Sequence, residues 1–253
     1  MAGFKIVIPA RHGSSRLPGK PLLDIAGKPM IVHVCERALE AGREVFVATD
    51  DRRIAQAVAH LPVTAVMTRE DHNSGTERIT EVADQLNWPD DTLVVNLQGD
   101  EPLMQPALIR QLADALAGQK AAEIATLAAP IDDPADVFDP HAVKVVLDRH
   151  GHALYFSRAP IPWHRDSFGQ TDSQAAAEYP WLRHIGIYAY CAGFLRRYVN
   201  WPASRLEAVE ALEQLRILWH GERILVVPID SAPHAGVDTE ADLQRVQNML
   251  SGQ

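Results

Sequence analysis

Residues 4–117 alternate between two hydrophobic periods, and this alternation restricts the fold more than any other feature of the chain. Residues 4–8 form a short apolar run ending at Pro9, the pattern of a buried strand. Met30–Ala41 has helical spacing, with Pro29 suited to its first turn and Gly42 to its stop. Residues 44–49, 63–67 and 92–97 read as strands, and residues 51–60, 76–86 and 107–117 as helices, the last closed by Gly118. Strands alternating with helices imply a largely parallel sheet covered on both faces.

The rhythm changes after Gly118. Residues 123–129, 142–148, 153–156, 184–190 and 224–229 read as strands. Residues 159–181 are irregular, with prolines and aromatics, and read as an inserted arm. Ser204 with Glu207 three residues later predicts a capped helix start, and Asp238 or Thr239 caps a final helix. The expectation is a single domain over residues 1–253, with residues 140–200 inserted for dimerisation and ligand binding.

Composition narrows the class. Hydrophobic residues make up 47% of the 253, enough for a buried core. No stretch approaches the roughly 18 consecutive apolar residues of a spanning helix. The opening residues lack the apolar region and cleavage site of a signal peptide. Cys35 and Cys191 have no metal-ligand spacing and read as reduced thiols, so a cytoplasmic location is expected. The net charge of −9 argues against sequence-independent nucleic-acid binding. Residues 1–23 nevertheless hold Lys5, Arg11, Arg16 and Lys20 and no acid, which suggests a local anion site.

That site would be the loop from Pro9 to Lys20, directly after the first strand. Ligands of open α/β sheets bind beyond the carboxyl ends of strands. Gly13, Gly19 and the serines let backbone N–H groups approach an oxyanion. Arg11, Arg16 and Lys20 can neutralise a triphosphate. A solvated basic loop is the alternative. Residues 68–78 follow the third strand, and Ser74-Gly75-Thr76 reads either as hydrogen-bonding groups for a base or as a helix start capped by Thr76. Gly99 lets the chain turn before Asp100, which is placed either for a hard cation such as Mg²⁺ or as a loop acid. Asp238 is a second such carboxylate or an N-cap.

Three further segments carry polar groups. Arg158 follows a strand, and His184, Gly186 and Tyr188 share one face of another. After Ser204, Leu206, Val209, Leu212 and Leu215 are expected along one helical stripe, with Glu210, Glu213 and Gln214 beside it. Each group also has an ordinary reading, as packed strand residues or a solvated helix face.

Arg11-x-x-Ser14-x-Arg16-Leu17-Pro18-Gly19-Lys20-Pro21-Leu22 resembles the signature loop of the CMP-sugar synthetases. The segments Gly27-Lys28-Pro29-Met30-Ile31, Phe156-Ser157-Arg158, His184-Ile185-Gly186-Ile187-Tyr188 and Leu212-Glu213-Gln214-Leu215-Arg216 resemble the branch of that family that activates the acid sugar Kdo (3-deoxy-manno-octulosonate). His12 departs from the pattern, where an aromatic such as Tyr is expected. The resemblance implies a three-layer, Rossmann-like α/β fold of the nucleotide-diphospho-sugar transferase type, with a mixed, mainly parallel sheet and an inserted dimerisation arm.

The same resemblance implies the reaction CTP plus Kdo giving CMP-Kdo and diphosphate, in a homodimer with Mg²⁺. It places Ala10, Arg11, Ser14, Arg16, Lys20, Arg69, Ser74 and Arg78 on the nucleotide. Gln98, Arg158, His184, Tyr188, Glu213 and Gln214 fall on the sugar, and Asp100 and Asp238 on the metal. Arg11, Lys20 and Asp100 carry the catalytic roles. Alternatives are the activation of 8-amino-Kdo or a sialic acid, and a non-catalytic nucleotide-binding module.

Overall fold

The computed structural model describes residues 3–13, 17–165, 168 and 180–252. Ser14, Arg16 and most of the expected arm lie outside the described residues. In chain order the elements are β1 (Phe4–Ala10), a single 3-10 turn (Lys20–Leu22), β2 (Asp24–Ile25), β3 (Lys28–Pro29), α1 (Met30–Ala41), β4 (Glu44–Thr49), α2 (Arg52–Val58), β5 (Thr64–Met67), α3 (Gly75–Gln85), β6 (Leu93–Asn96) and α4 (Pro106–Ala117). They continue as β7 (Ile124–Pro130), α5 (Pro134–Phe138), β8 (Lys144–Leu147), β9 (Ala153–Ser157), β10 (Leu182–Cys191), α6 (Ala192–Tyr198), α7 (Arg205–Glu210), α8 (Gln214–Trp219), β11 (Leu225–Pro228) and α9 (Glu240–Ser251). The chain forms two compact units, the first from Met1–Ala117, Ile187–Val199 and Pro233–Gln253, the second from Gly118–Gly186 and Asn200–Ala232.

The first unit carries the expected parallel sheet, in the order β10-β6-β1-β4-β5. β1 pairs in parallel with β4 and β6, and β4 with β5, while the end of β10 runs antiparallel to β6. Ile6, Val7 and Ile8 are fully buried, as a central parallel strand requires. β1 does not stop before Pro9 but runs on to Ala10. The Val7 carbonyl accepts from Leu97 N–H, so Val7 faces β6, and Pro9, two residues on, faces the same side. β6 has ended by then, and the missing Pro9 N–H leaves no ladder bond unmade.

Where β6 ends, Gly99 passes close to β1, and a Cβ there would lie 2.8 Å from the Pro9 carbonyl oxygen. Gly99→Ala is expected to push the two loops apart and cost about 1–3 kcal/mol, as overpacking does. A urea unfolding curve checks this, and an unchanged midpoint contradicts it.

A small core of the first unit prepares the site. Leu17, Ile25, Met30, Val237, Leu243 and Val246 pack in one buried cluster. Leu17 lies just before the Lys20 turn and Val237 just before Asp238, so burying both brings those polar neighbours together. α9 is capped by Thr239, whose Oγ1 accepts from Asp242 N–H, while the Asp242 carboxylate accepts from Thr239 N–H. Asp238 is therefore not the cap.

The second unit is mostly antiparallel around β8, which lies between β9 and β10. β7 and β11 pair in parallel. The expected continuous helix after Ser204 is interrupted. Ser204 and Glu207 form the capping box, but Ala211 takes a left-handed φ of 51° and the chain restarts as α8. Arg158 holds the break, its Nε donating to the Glu210 carbonyl at 2.7 Å. The single apolar stripe is lost with it, for Val209 is exposed whereas Leu212 and Leu215 are buried.

Candidate active site

In the first unit, three chain segments meet at the carboxyl ends of β1 and β6. Gly19, at a left-handed φ of 69°, turns the chain into the 3-10 turn that presents Lys20. The Lys20 ammonium donates to Asp100 Oδ2 at 2.6 Å, to the Val237 carbonyl at 2.9 Å and to Asp238 Oδ1 at 3.1 Å. The loop before α9 is itself tied down, because Val237 N–H donates to the Asp100 carbonyl at 2.9 Å. A Cβ at Gly236 would lie 2.9 Å from that same oxygen and 2.9 Å from Glu101 Oε1. Glycine at 236 is what allows Asp238 to reach Lys20.

Electrostatics keep the cluster polar. Burial pulls Lys20 toward its neutral form, but Asp100 and then Asp238 outweigh it, and its pKa stands above the ordinary lysine value. Burial, then the charges of Asp100 and Asp238, push the pKa of Glu101 up to about 8. At neutral pH it is protonated and adds no third negative charge.

This donor set fits a hard divalent cation. Two carboxylates and a carbonyl converge on one cationic centre, and Mg²⁺ takes one or two carboxylates with phosphate oxygens and water. Among the described residues no group of three or more His, Cys, Asp or Glu side chains could hold a metal alone, so this is not an all-protein cage.

The remaining nucleotide candidates of this unit are placed as follows. Ala10 is buried at the end of β1, and Arg11 is exposed just beyond it. Ser74, not Thr76, caps α3, its Oγ accepting from Glu77 N–H at 3.2 Å. Ser74 has the extended backbone of a cap, whereas Thr76 is buried inside the first turn. Arg69 has an exposed side chain 3.4 Å from Asp71. Arg78 is buried, bonded to Asp50 at 2.8 Å and to Thr68 Oγ1, so its described partners lie inside the unit. Gln98 donates to Asn96 Oδ1 at 3.2 Å, and Asn96 stands opposite Tyr188 in the β6–β10 register.

Sequence reading missed the latch that holds the segment before α3. Glu77 accepts from Asn73 N–H at 2.8 Å and Glu81 from Arg69 N–H at 3.0 Å, while His72 Nε2 bonds Glu81. Two glutamates one helical turn apart were the available signal.

In the second unit, Arg158 spends its guanidinium on carbonyls, those of Glu210, Pro140 and Ala211. Its backbone N–H donates to Glu210 Oε2 at 3.0 Å, and Ser157 Oγ to Glu210 Oε1 at 2.6 Å. Glu210 thus faces β9 instead of joining a stripe with Glu213, which is exposed. Gln214 is buried, and its Nε2 has no hydrogen-bond partner among the described residues. Buried donors of this kind are rare without a reason.

His184 Nε2 lies 3.1 Å from Thr126 Oγ1, with its ring edge-on to Phe156. Burial pushes its pKa down from 6.5 to about 4. Between those values the unfolded chain takes up a proton that the folded chain does not. Stability should be full above pH 6.5 and fall as the pH drops toward 4, by roughly 3 kcal/mol at most. His184→Gln should flatten that part of the curve, and denaturant midpoints at several pH values will read it. Equal pH slopes in both proteins would contradict the assignment.

Parallel strands whose carboxyl ends present a basic loop and a lysine clasped by two aspartates define an α/β nucleotidyltransferase. A sequence profile of the cytidylyltransferase family matches residues 5–224. The chain belongs to that family, in the branch of the 3-deoxy-manno-octulosonate cytidylyltransferases. It is 63% identical over 252 residues to the 3-deoxy-manno-octulosonate cytidylyltransferase of Methylococcus capsulatus, covering 99% of this chain and 98% of that one. It is 56% identical to that of Idiomarina loihiensis, over 97% of this chain and 98% of the other. A solved CMP:2-keto-3-deoxy-manno-octonic acid synthetase complexed with CTP superposes with a TM-score of 0.90 at 45% identity, over 99% of each chain. A cytidylyltransferase from Leptospira borgpetersenii serovar Hardjo-bovis, 18% identical over 100% of this chain and 88% of its own, shares the fold at a TM-score of 0.65.

Proposed function

We propose that this chain couples CTP to Kdo, giving CMP-Kdo and diphosphate. The observation that carries the chemistry is the convergence of Lys20, Asp100 and Asp238 beyond the ends of parallel strands. The substrate pair follows from the named relatives. The anomeric hydroxyl oxygen of the sugar bonds to the α-phosphorus. The bond from that phosphorus to the bridging oxygen breaks, diphosphate leaves with the electron pair, and the hydroxyl proton passes to water. Asp100 and Asp238 would hold Mg²⁺, which when bound neutralises phosphate charge and polarises the α-phosphate.

The chain's own groups supply positioning and charge. Lys20 stays protonated and stabilises negative charge that grows on the phosphoryl oxygens. Arg11 and Arg16 neutralise the triphosphate, and Ser14 donates a hydrogen bond to it. Arg69 and Ser74 bind the nucleoside, and Arg78 braces that segment from within. Arg158 receives the sugar carboxylate, while Gln98, His184, Tyr188, Glu213 and Gln214 serve its hydroxyls. The buried Nε2 of Gln214, without a hydrogen-bond partner among the described residues, is a donor ready for such an oxygen.

The product serves lipopolysaccharide synthesis. The enzyme works in the cytoplasm, where the thiols of Cys35 and Cys191 stay reduced. It acts as a homodimer, and exposed apolar side chains such as Leu154 and Trp163 are available for pairing to cover. A diphosphate-release assay crossing four nucleotides with Kdo, 8-amino-Kdo and a sialic acid tests the reading. Release is expected with CTP and Kdo. Equal release with a sialic acid, or none with any pair, would overturn it.

A further inference from the structure

Lys144 is a buried cation that none of the roles above uses. It is fully buried in the first position of β8, an environment in which a lysine is rare. Its register partners are Ser157 on β9 and Arg183 on β10. It therefore stands between the strand that leads into Arg158 and the strand that carries His184. Its ammonium donates to the Arg158 carbonyl at 2.7 Å and to the Asp139 carbonyl at 2.8 Å. Burial pulls it toward the neutral form, and the charges of Asp139 and Glu210 oppose that pull.

Such a group costs stability. A buried ammonium is expensive even when paired, and an apolar residue of the same length would fill the space at less cost. Several contacts beside it constrain Arg158. Lys144 holds the Arg158 carbonyl, the Glu210 carboxylate holds its N–H, and the carbonyls of Glu210, Pro140 and Ala211 hold its guanidinium. Glu210 and Ala211 mark the break between α7 and α8, so the guanidinium is tied to that break, while the main chain of Arg158 is held by the Glu210 carboxylate and the Lys144 ammonium.

We infer that Lys144 is a positioning residue for acid-sugar recognition, fixing the backbone of Arg158 so that its guanidinium meets the sugar carboxylate. The inference rests on the reading of Arg158 as the carboxylate-binding residue. A side chain placed about 1 Å wrong loses much of its binding contribution. The apolar core of the unit does not need this charge.

The test is a mutant cycle with Lys144→Met, Arg158→Gln and the double variant, read by steady-state kinetics in Kdo and in CTP, with thermal midpoints as a fold check. Lys144→Met is expected to raise the KM for Kdo about tenfold while leaving the KM for CTP and kcat at saturating Kdo within about twofold. The double variant is expected to be no worse in Kdo KM than Arg158→Gln alone, because both substitutions remove one interaction. A normal Kdo KM in folded Lys144→Met overturns the inference and leaves Arg158 in place. Additive effects overturn it too, since Lys144 would then act on its own. A normal Kdo KM in Arg158→Gln removes the Arg158 assignment and the inference with it. Where Lys144→Met fails to fold, Lys144→Gln replaces it. Its amide can reach only part of the two-carbonyl arrangement, a rise of about threefold is expected, and no rise overturns the inference.

Discussion

Asp100→Asn is expected to lower kcat roughly a thousandfold, while the protein keeps its fold. In the proposed reaction the carboxylate has two tasks. Its Oδ2 lies 2.6 Å from the Lys20 ammonium, and it is one of two carboxylates that converge where a divalent cation fits. Asparagine keeps the shape and one oxygen but loses the charge. Asp100 is also part of what pushes Glu101 to about 8, so the variant relieves a repulsion in the fold as it removes the catalytic charge. Diphosphate release and the thermal midpoint should therefore separate. Near-normal release would sink the metal role, and a collapse of the midpoint would show that Asp100 holds the structure instead.

Lys20→Ala is the second large effect, with kcat reduced about 10²–10³-fold and a smaller change in the KM for Kdo. Lys20 lies within hydrogen-bond reach of two aspartates and a carbonyl, so its position is set by three contacts before substrate arrives. A preplaced cation needs no reorganisation when charge develops on the phosphoryl oxygens. A rise confined to KM would make Lys20 a ground-state binder and remove its part in the transition state.

The elements that local pattern controls were legible in the chain. Met30–Ala41 and Glu44–Thr49 begin and end where their hydrophobic periods do, because each period is written in adjacent residues. The basic loop and the glycine before Asp100 were legible for the same reason. Choices between neighbours were not. Ser74 takes the cap over Thr76, and Thr239 takes it over Asp238, because capping depends on which backbone N–H groups the packed helix leaves open. The break at Ala211 was invisible as well. It is held by Arg158, and in sequence the two are 53 residues apart.

The amino-acid sequence by itself determined the parallel α/β character, the position of the basic loop after the first strand and that of Asp100 after the turn at Gly99. Tertiary structure alone decided that Lys20 stands between Asp100 and Asp238, 80 residues from one and 218 from the other. It also decided that Glu101 is neutral, that Arg78 turns inward and that Lys144 lies beneath Arg158. Strand and helix periods are local properties of a chain. Which charges become neighbours, and which of them lose water, depends on how distant segments bury their apolar faces.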